Sequence, residues 1–243
     1  MKDSRTGRIV ITPRDERLFK YLFVNKVAAV SDIKKDLFNA VSTKTVHRRL
    51  MKLSRENLIA GLAQRERGNR MLYFLTTKAF KKFIAEPNVL RRVQLKSDST
   101  AHDLELLEIK RRFKAFNNVH NFYSENLIRS GMLDHLPKIK AMRELNSDAI
   151  VKINVNGKTH YLPLEYEASA KYSRRYDRLI SKYYLCPQVA AVLFVSKNGS
   201  IEKRVRHRDQ RREGKFYFAL LDEIKKDGPI KFTNNHKEVL WIN

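Results

Sequence analysis

The sequence holds one cysteine, Cys186, so no internal disulfide and no cysteine-based zinc site can form, and the residue reads as a small buried side chain before Pro187. Acidic residues are scarce: 26 Asp and Glu stand against 50 Lys and Arg, a formal net charge of +24 with a sequence pI near 10.2. That excess goes beyond what solubility requires and reads as a field for polyanions. No uninterrupted apolar run approaches the roughly 20 residues of a spanning helix, and the opening MKDSRTGR has no apolar signal core, so a soluble, cytoplasmic chain without membrane insertion is expected. There is no internal repeat and no low-complexity tract. What the chain does have is apolar matter, 42% hydrophobic and 10% aromatic, which excludes global disorder. Its 243 residues suffice for one large domain or two modest ones.

Residues 13 to 85 read as a helical unit that ends in a hairpin. Thr12 as N-cap, Pro13 at the first helical position and Asp15 in the first turn open a helix with Leu18, Phe19, Leu22 and Phe23 on its apolar face. Ser31 and Asp32 open a second short helix, and Ser42 or Thr43 a third with Val46, Leu50 and Leu53 inward. Two apolar segments, Leu58 to Leu62 and Met71 to Leu75, flank the Gly68-Asn69 turn signal and predict a hairpin with a basic tip. Three short helices followed by a basic hairpin predict a winged helix-turn-helix. Its outward residues Lys44, Thr45, His47, Arg48, Arg49 and Lys52 suit phosphates and base edges in the major groove, and Arg65, Arg67 and Arg70 suit the adjacent backbone. The alternative is a solvated charged helix in another three-helix unit.

Pro87 stops a helix that runs from about Thr77 to Ala85, and the polar stretch after it reads as a linker, giving domains at 1–86 and 101–243 joined by 87–100. Beyond it, a helix from Thr100 to about Phe116, a strand near Val119 to Tyr123, a helix from Ser169 to Leu185, an apolar strand from Gln188 to Ser196, a basic helix from Ser200 to Arg212 and a strand from Lys215 to Leu220 alternate. The pattern predicts a mixed sheet with helices around it, an α+β or α/β arrangement.

Asn156-Gly157 is a strong signal for a two-residue type I′ hairpin between Ser147–Val155 and Lys158–Glu167. If Val155 faces Lys158, counting back along both strands sets Asp148 opposite Glu165, and Glu167 shares their face. The other face carries Ala149, Val151, Ile153, Val155, Leu162, Leu164 and Tyr166, a core pattern that supports the same register. Like charges placed opposite one another need compensation, and hard oxygen ligands suit Mg²⁺ or Mn²⁺. Solvation, or pairing with nearby Arg and Lys, is the other way to satisfy them. Pro163 removes a ladder donor and calls for an edge or a bulge. Lys171, at the start of the next helix, is placed to offset charge near a phosphate, and Arg174, Arg175 and Arg178 to hold flanking phosphates.

Asp148 ahead of a hairpin, Glu165-Tyr166-Glu167 and Lys171 resemble the restriction-endonuclease-like PD-(D/E)xK core, with Ser147 in place of the usual Pro and Glu167 in place of the motif's Lys. Together with the expected winged helix, His102 on the preceding helix and the run from Glu165 to Tyr176, the chain resembles the MobC-type relaxases of mobilisable plasmids, of the replication-relaxation family, from about Thr12 to Leu193. That resemblance implies a winged-helix domain followed by a restriction-endonuclease-like mixed-sheet domain, and a metal-dependent endonuclease (a hydrolase) that nicks one strand at a transfer origin for conjugation. Asp148, Glu165 and Glu167 would be the acidic metal-binding triad, Lys171 an auxiliary, and His102 and Glu105 would complete the site. It further implies Mg²⁺ or Mn²⁺, double-stranded and nicked plasmid DNA, an accessory mobilisation protein, a coupling ATPase and a bacterial, plasmid-borne setting. The His-apolar-His cluster that accompanies a tyrosine nucleophile in the commoner relaxases is absent, and Tyr172 and Tyr176 read as core residues of their helix. A non-catalytic replication or transcription regulator, whose nuclease-like domain only grips DNA, is the rival reading.

Overall fold

The computed structural model describes residues 9–64, 70–85, 93–210 and 212–243. Internal contacts divide the chain into two units, Met1–Leu104 and Glu105–Asn243. The described residues form a mixed α+β arrangement with one antiparallel three-stranded sheet and one mixed seven-stranded sheet.

The first unit contains α1 (Pro13–Asn25), β1 (Ala28–Ala29), α2 (Val30–Leu37), α3 (Thr43–Arg55), β2 (Ile59–Gln64), β3 (Arg70–Leu75) and α4 (Thr77–Phe83), with sheet order β1-β3-β2. α1 starts where the sequence predicts. The Asp15 N–H donates to Thr12 Oγ1 and the Thr12 N–H donates to Asp15 Oδ2 at 2.7 Å, a reciprocal cap that satisfies donors the first turn leaves open. Its predicted apolar face is buried throughout. α2 differs: Asp32 accepts the N–H of Ala29 at 3.0 Å and starts the helix at Val30, while Ser31 instead accepts from Arg70 at 3.0 Å. α3 is capped by Ser42 and buries Val46, Leu50 and Leu53 as expected.

α5 (Thr100–Lys114) starts in the first unit and continues into the second. There follow β4 (Val119–Ser124), α6 (Glu125–Arg129), α7 (Pro137–Met142), a 3-10 turn (Arg143–Leu145), β5 (Ala149–Val155), β6 (Lys158–Glu167), α8 (Ser173–Tyr184), β7 (Val192–Ser196), α9 (Gly199–Asp209), β8 (Phe216–Leu220), α10 (Leu221–Lys225), β9 (Ile230–Thr233) and β10 (Val239–Ile242). The strands lie in the order β10-β9-β8-β7-β6-β5-β4. β6, β7 and β8 run parallel, which places α8 and α9 as crossovers.

Both faces of this sheet are covered. Ile109 and Phe113 of α5 pack on Ala149, Val151, Ile153, Leu162, Leu164 and Tyr166, the face the alternation predicts as core. The opposite face is a second core, in which Tyr176, Ile180 and Tyr183 of α8 and Ile201 and Val205 of α9 cover Ile150, Phe194 and Phe218. That double cover explains why β7 is buried at every position.

The hairpin has the predicted register. Asn156 and Gly157 both take positive φ, 50° and 74°, as a type I′ turn requires, and Val155 faces Lys158 with Ala149 facing Leu164. Pro163 sits between neighbours rather than on a free edge, without a bulge in the β5–β6 ladder. The Lys197 N–H donates to the Glu167 carbonyl at 3.0 Å, so odd-numbered β6 residues turn their backbone toward β7. Pro163 therefore turns its nitrogen to that side one residue before the β6–β7 pairing begins at Leu164, where no ladder donor is needed.

Two expectations for α8 need correction. The helix begins at Ser173, so Lys171 lies in the preceding loop rather than in the first turn. Tyr172 is the N-cap residue with extended backbone, φ −71° and ψ 157°, so its ring leaves the helical face and stands 84% exposed instead of in the core. Cys186 is half-buried. The short strands β9 and β10, four residues each, complete the sheet.

Candidate functional site

The β5–β6 ladder ends at Ala149–Leu164, which leaves Asp148 and Glu165 as the next opposed positions. The Tyr166 N–H points at β5, whose pairing has stopped. Asp148 Oδ2 accepts it at 2.7 Å and so replaces the missing ladder carbonyl. Glu165 is only 13% exposed; its Oε1 accepts the Tyr183 hydroxyl and lies 3.4 Å from Lys182 Nζ. Burial, followed by the charge of Asp148, pushes the Glu165 carboxyl up to about 7, against the opposing pull of Lys182 and Tyr183. Glu167 pairs with Lys171 at 3.5 Å. Burial also raises its carboxyl, with Lys171 and Arg175 pulling down and Asp148 again pushing up. The charge of Asp148 thus acts on both glutamates, and the three acids form one electrostatic cluster at the sheet end.

Among the described residues, no group of three or more His, Cys, Asp or Glu is placed to hold a metal ion. The three-carboxylate pocket expected from the hairpin is not formed, because Glu167 is turned to Lys171 and Glu165 to Tyr183. As a donor set, Asp148 and Glu165 do fit a hard divalent cation: they are opposed carboxylates whose mutual repulsion a cation would relieve.

Glu105 does not join this cluster. It accepts the Tyr166 hydroxyl at 2.6 Å and pairs with Lys197 at 2.7 Å. Along β6, Tyr166 points to the opposite face from Glu165 and Glu167, so Glu105 packs on the far side of the sheet. Burial raises the Glu105 carboxyl, but Lys197 and Tyr166 outweigh it and leave the group below its ordinary range. His102 falls in the first unit, with Nδ1 3.2 Å from Asp103 Oδ1, and Lys26 stands 3.8 Å from the same oxygen. Lys171 Nζ donates to Ser169 at 2.9 Å, and its backbone N–H donates to the Tyr176 hydroxyl at 2.9 Å, which fixes the loop beside Glu167.

No family model, curated protein or solved structure matches the chain.

The predicted basic residues divide into three groups. Lys44, Thr45, His47, Arg48 and Lys52 are exposed along α3, Arg70 is exposed on β3, and Arg174, Arg175 and Arg178 are exposed along α8. Arg49 is not an outward residue: its guanidinium binds both oxygens of Asp15, which is 1% exposed, and donates to the Val10 carbonyl at 2.8 Å. A buried carboxylate takes that side chain inward. Arg65 and Arg67 lie outside the described residues, as does part of the expected linker. Sequence reasoning missed Lys182 and Tyr183 as partners of Glu165. Their signal was the face of α8 that packs on β6, where Tyr183 follows Tyr176 and Ile180 at helical spacing.

Proposed function

We propose that this chain is a DNA-nicking enzyme of the MobC-type relaxase kind, in which a winged-helix first unit finds duplex DNA and a restriction-endonuclease-like second unit cuts one strand. The observation that carries the reading is the opposed pair Asp148 and Glu165, with the Glu165 carboxyl pushed up to about 7 by burial and by Asp148, next to a band of exposed arginines. Asp148 and Glu165 would hold Mg²⁺ or Mn²⁺. When bound, that ion supplies Lewis-acid polarisation of a phosphate and a water of lowered pKa. Asp148 is held in orientation by the Tyr166 N–H, Lys182 and Tyr183 fix Glu165, and Lys171 and Arg175 are placed beside Glu167 to meet phosphate charge. Plasmid DNA, an accessory mobilisation protein and a coupling ATPase in a bacterial cytoplasm belong to the same proposal. No helix among the described residues is long and apolar enough to cross a membrane.

The rival reading, a DNA-binding regulator without catalysis, draws support from one observation: each acid already has a protein partner, Tyr166 for Asp148, Tyr183 for Glu165 and Lys171 for Glu167. Conversion of supercoiled plasmid to open circle separates the two. The nickase reading expects cation-dependent nicking that Asp148→Asn and Glu165→Gln abolish while duplex affinity is kept. Binding without nicking in the wild type leaves the regulator.

A further inference from the structure

We infer that the second unit holds a single-stranded segment of DNA along α8 and α9, with one unpaired base stacked on the ring of Tyr172. This deepens the reading proposed above by naming the form of DNA that reaches the acidic cluster, and it rests on that reading for the chemistry but not for the binding.

Tyr172 is 84% exposed, whereas Tyr176 and Tyr183 on the following helix are fully buried. An aromatic ring left in water contributes almost nothing to the fold, and its face is open to a flat partner. Its surroundings indicate which partner. Lys171 precedes it, and Arg174, Arg175 and Arg178 follow it as exposed residues of α8. α9 extends this surface. Ile201 and Val205 bury against Tyr176 and Ile180, and Arg208 pairs with Asp177 at 3.3 Å, so the exposed sides of the two helices lie next to each other. Arg204, one turn before Arg208, is exposed there. Arg204 acts electrostatically on the Tyr176 hydroxyl, the same oxygen that accepts the Lys171 N–H, so the α9 charge reaches the Lys171–Tyr172 turn. The acids on these helices are spent locally, Asp177 on Arg208, Glu202 on Arg206 at 2.6 Å and the buried Asp209 on the Tyr184 hydroxyl at 2.8 Å, which leaves the strip positive.

A basic track that ends on an exposed aromatic ring suits a flexible phosphodiester with bases free to stack. In a duplex the base faces are already stacked on their neighbours, so Tyr172 can engage only an unpaired base. Lys171, next to Tyr172 in the chain, pairs with Glu167 at 3.5 Å, so a strand held there passes the acidic cluster.

The test uses the full chain without divalent cation, so that no cleavage intervenes. Anisotropy is measured with a labelled oligothymidylate of about 16 nucleotides and with a duplex of the same length, and quenching with an oligonucleotide carrying 2-aminopurine. The wild type is expected to quench the fluorophore. Tyr172→Ala should lose the quench and bind single strands about tenfold more weakly, a stacking loss of ordinary size, with duplex affinity unchanged. Tyr172→Phe should keep both properties, which separates stacking from a hydroxyl contact. Arg204→Glu should weaken single-strand binding and flatten its salt dependence. Wild-type single-strand affinity and quenching in Tyr172→Ala, or an equal loss on duplex, overturns the inference. Nicking is scored separately. If Asp148→Asn still cuts, the nuclease reading fails and the stacking site stands; if only Tyr172→Ala is silent, the reverse holds.

Discussion

Asp148 accepts the backbone N–H of Tyr166 at 2.7 Å, so a side chain of one strand completes the hydrogen-bond ladder of its neighbour at the point where the main-chain pairing ends. The same carboxylate raises the two glutamates beside it. One residue thus serves the fold and the acidic cluster, and its substitutions should separate the two roles. Asp148→Asn keeps an acceptor for Tyr166 and removes the charge; Asp148→Ala leaves the N–H unpaired. Chemical denaturation should show the alanine variant less stable than the asparagine variant by roughly 1–2 kcal/mol. In both, Glu165 should titrate at lower pH than in the wild type, read by carboxyl NMR.

Glu165 also governs how stability depends on pH. Its carboxyl is held at about 7 in the folded chain against an ordinary 4.5, so the folded state binds the proton more tightly. The contribution of this group is therefore most favourable below 4.5 and declines as pH rises toward 7. Glu165→Gln cannot lose a proton. Its unfolding free energy, measured from pH 4 to pH 8, should lack the decline that the wild type shows across that window.

Arg49 should behave as a structural residue. Burial raises Asp15, but bonds from Arg49 and Thr12 outweigh it and hold the carboxyl below its ordinary value of 3.8. Stability from the pair is present above that value and is lost as pH falls through the folded value. Arg49→Ala strands Asp15, 1% exposed, and should cost roughly 3 kcal/mol at neutral pH, the low end for a buried pair that loses one partner. The deficit should shrink below pH 3.8, where Asp15 takes up a proton. A thermal melt at two pH values checks it.

Arg48, exposed one residue earlier, should do the opposite. Arg48→Ala should leave the melting temperature unchanged, weaken duplex binding at low salt, and reduce the slope of log affinity against log salt by about one. Affinity measured from low to moderate salt reads this directly.

The parts of the molecule legible in the sequence are those fixed by local chemistry. The cap of α1, the Asn156-Gly157 turn and the register it imposes depend on residues within a few positions of one another, and all are present. Partners far apart in the chain were not legible. Arg49 reads as an outward basic residue of α3 until Asp15, on a different helix, takes its guanidinium. Glu105 reads as a companion of Glu165, yet it bonds Tyr166, which the alternation of β6 turns to the face opposite Glu165. The α8 boundary was obscured because Ser169 to Tyr172 carry no proline or glycine to mark the loop, so the periodic pattern ran through it and took Tyr172 into the core.

The central claim is that Asp148 and Glu165 together form a cation site beside DNA. Diffraction from crystals soaked in Mn²⁺, collected at a wavelength where manganese scatters anomalously, tests it most directly. The account predicts one peak within coordination distance of both carboxylates, lost in Glu165→Gln. Absence of a peak there at saturating Mn²⁺, with Tyr183 and Lys182 still bound to Glu165, contradicts it.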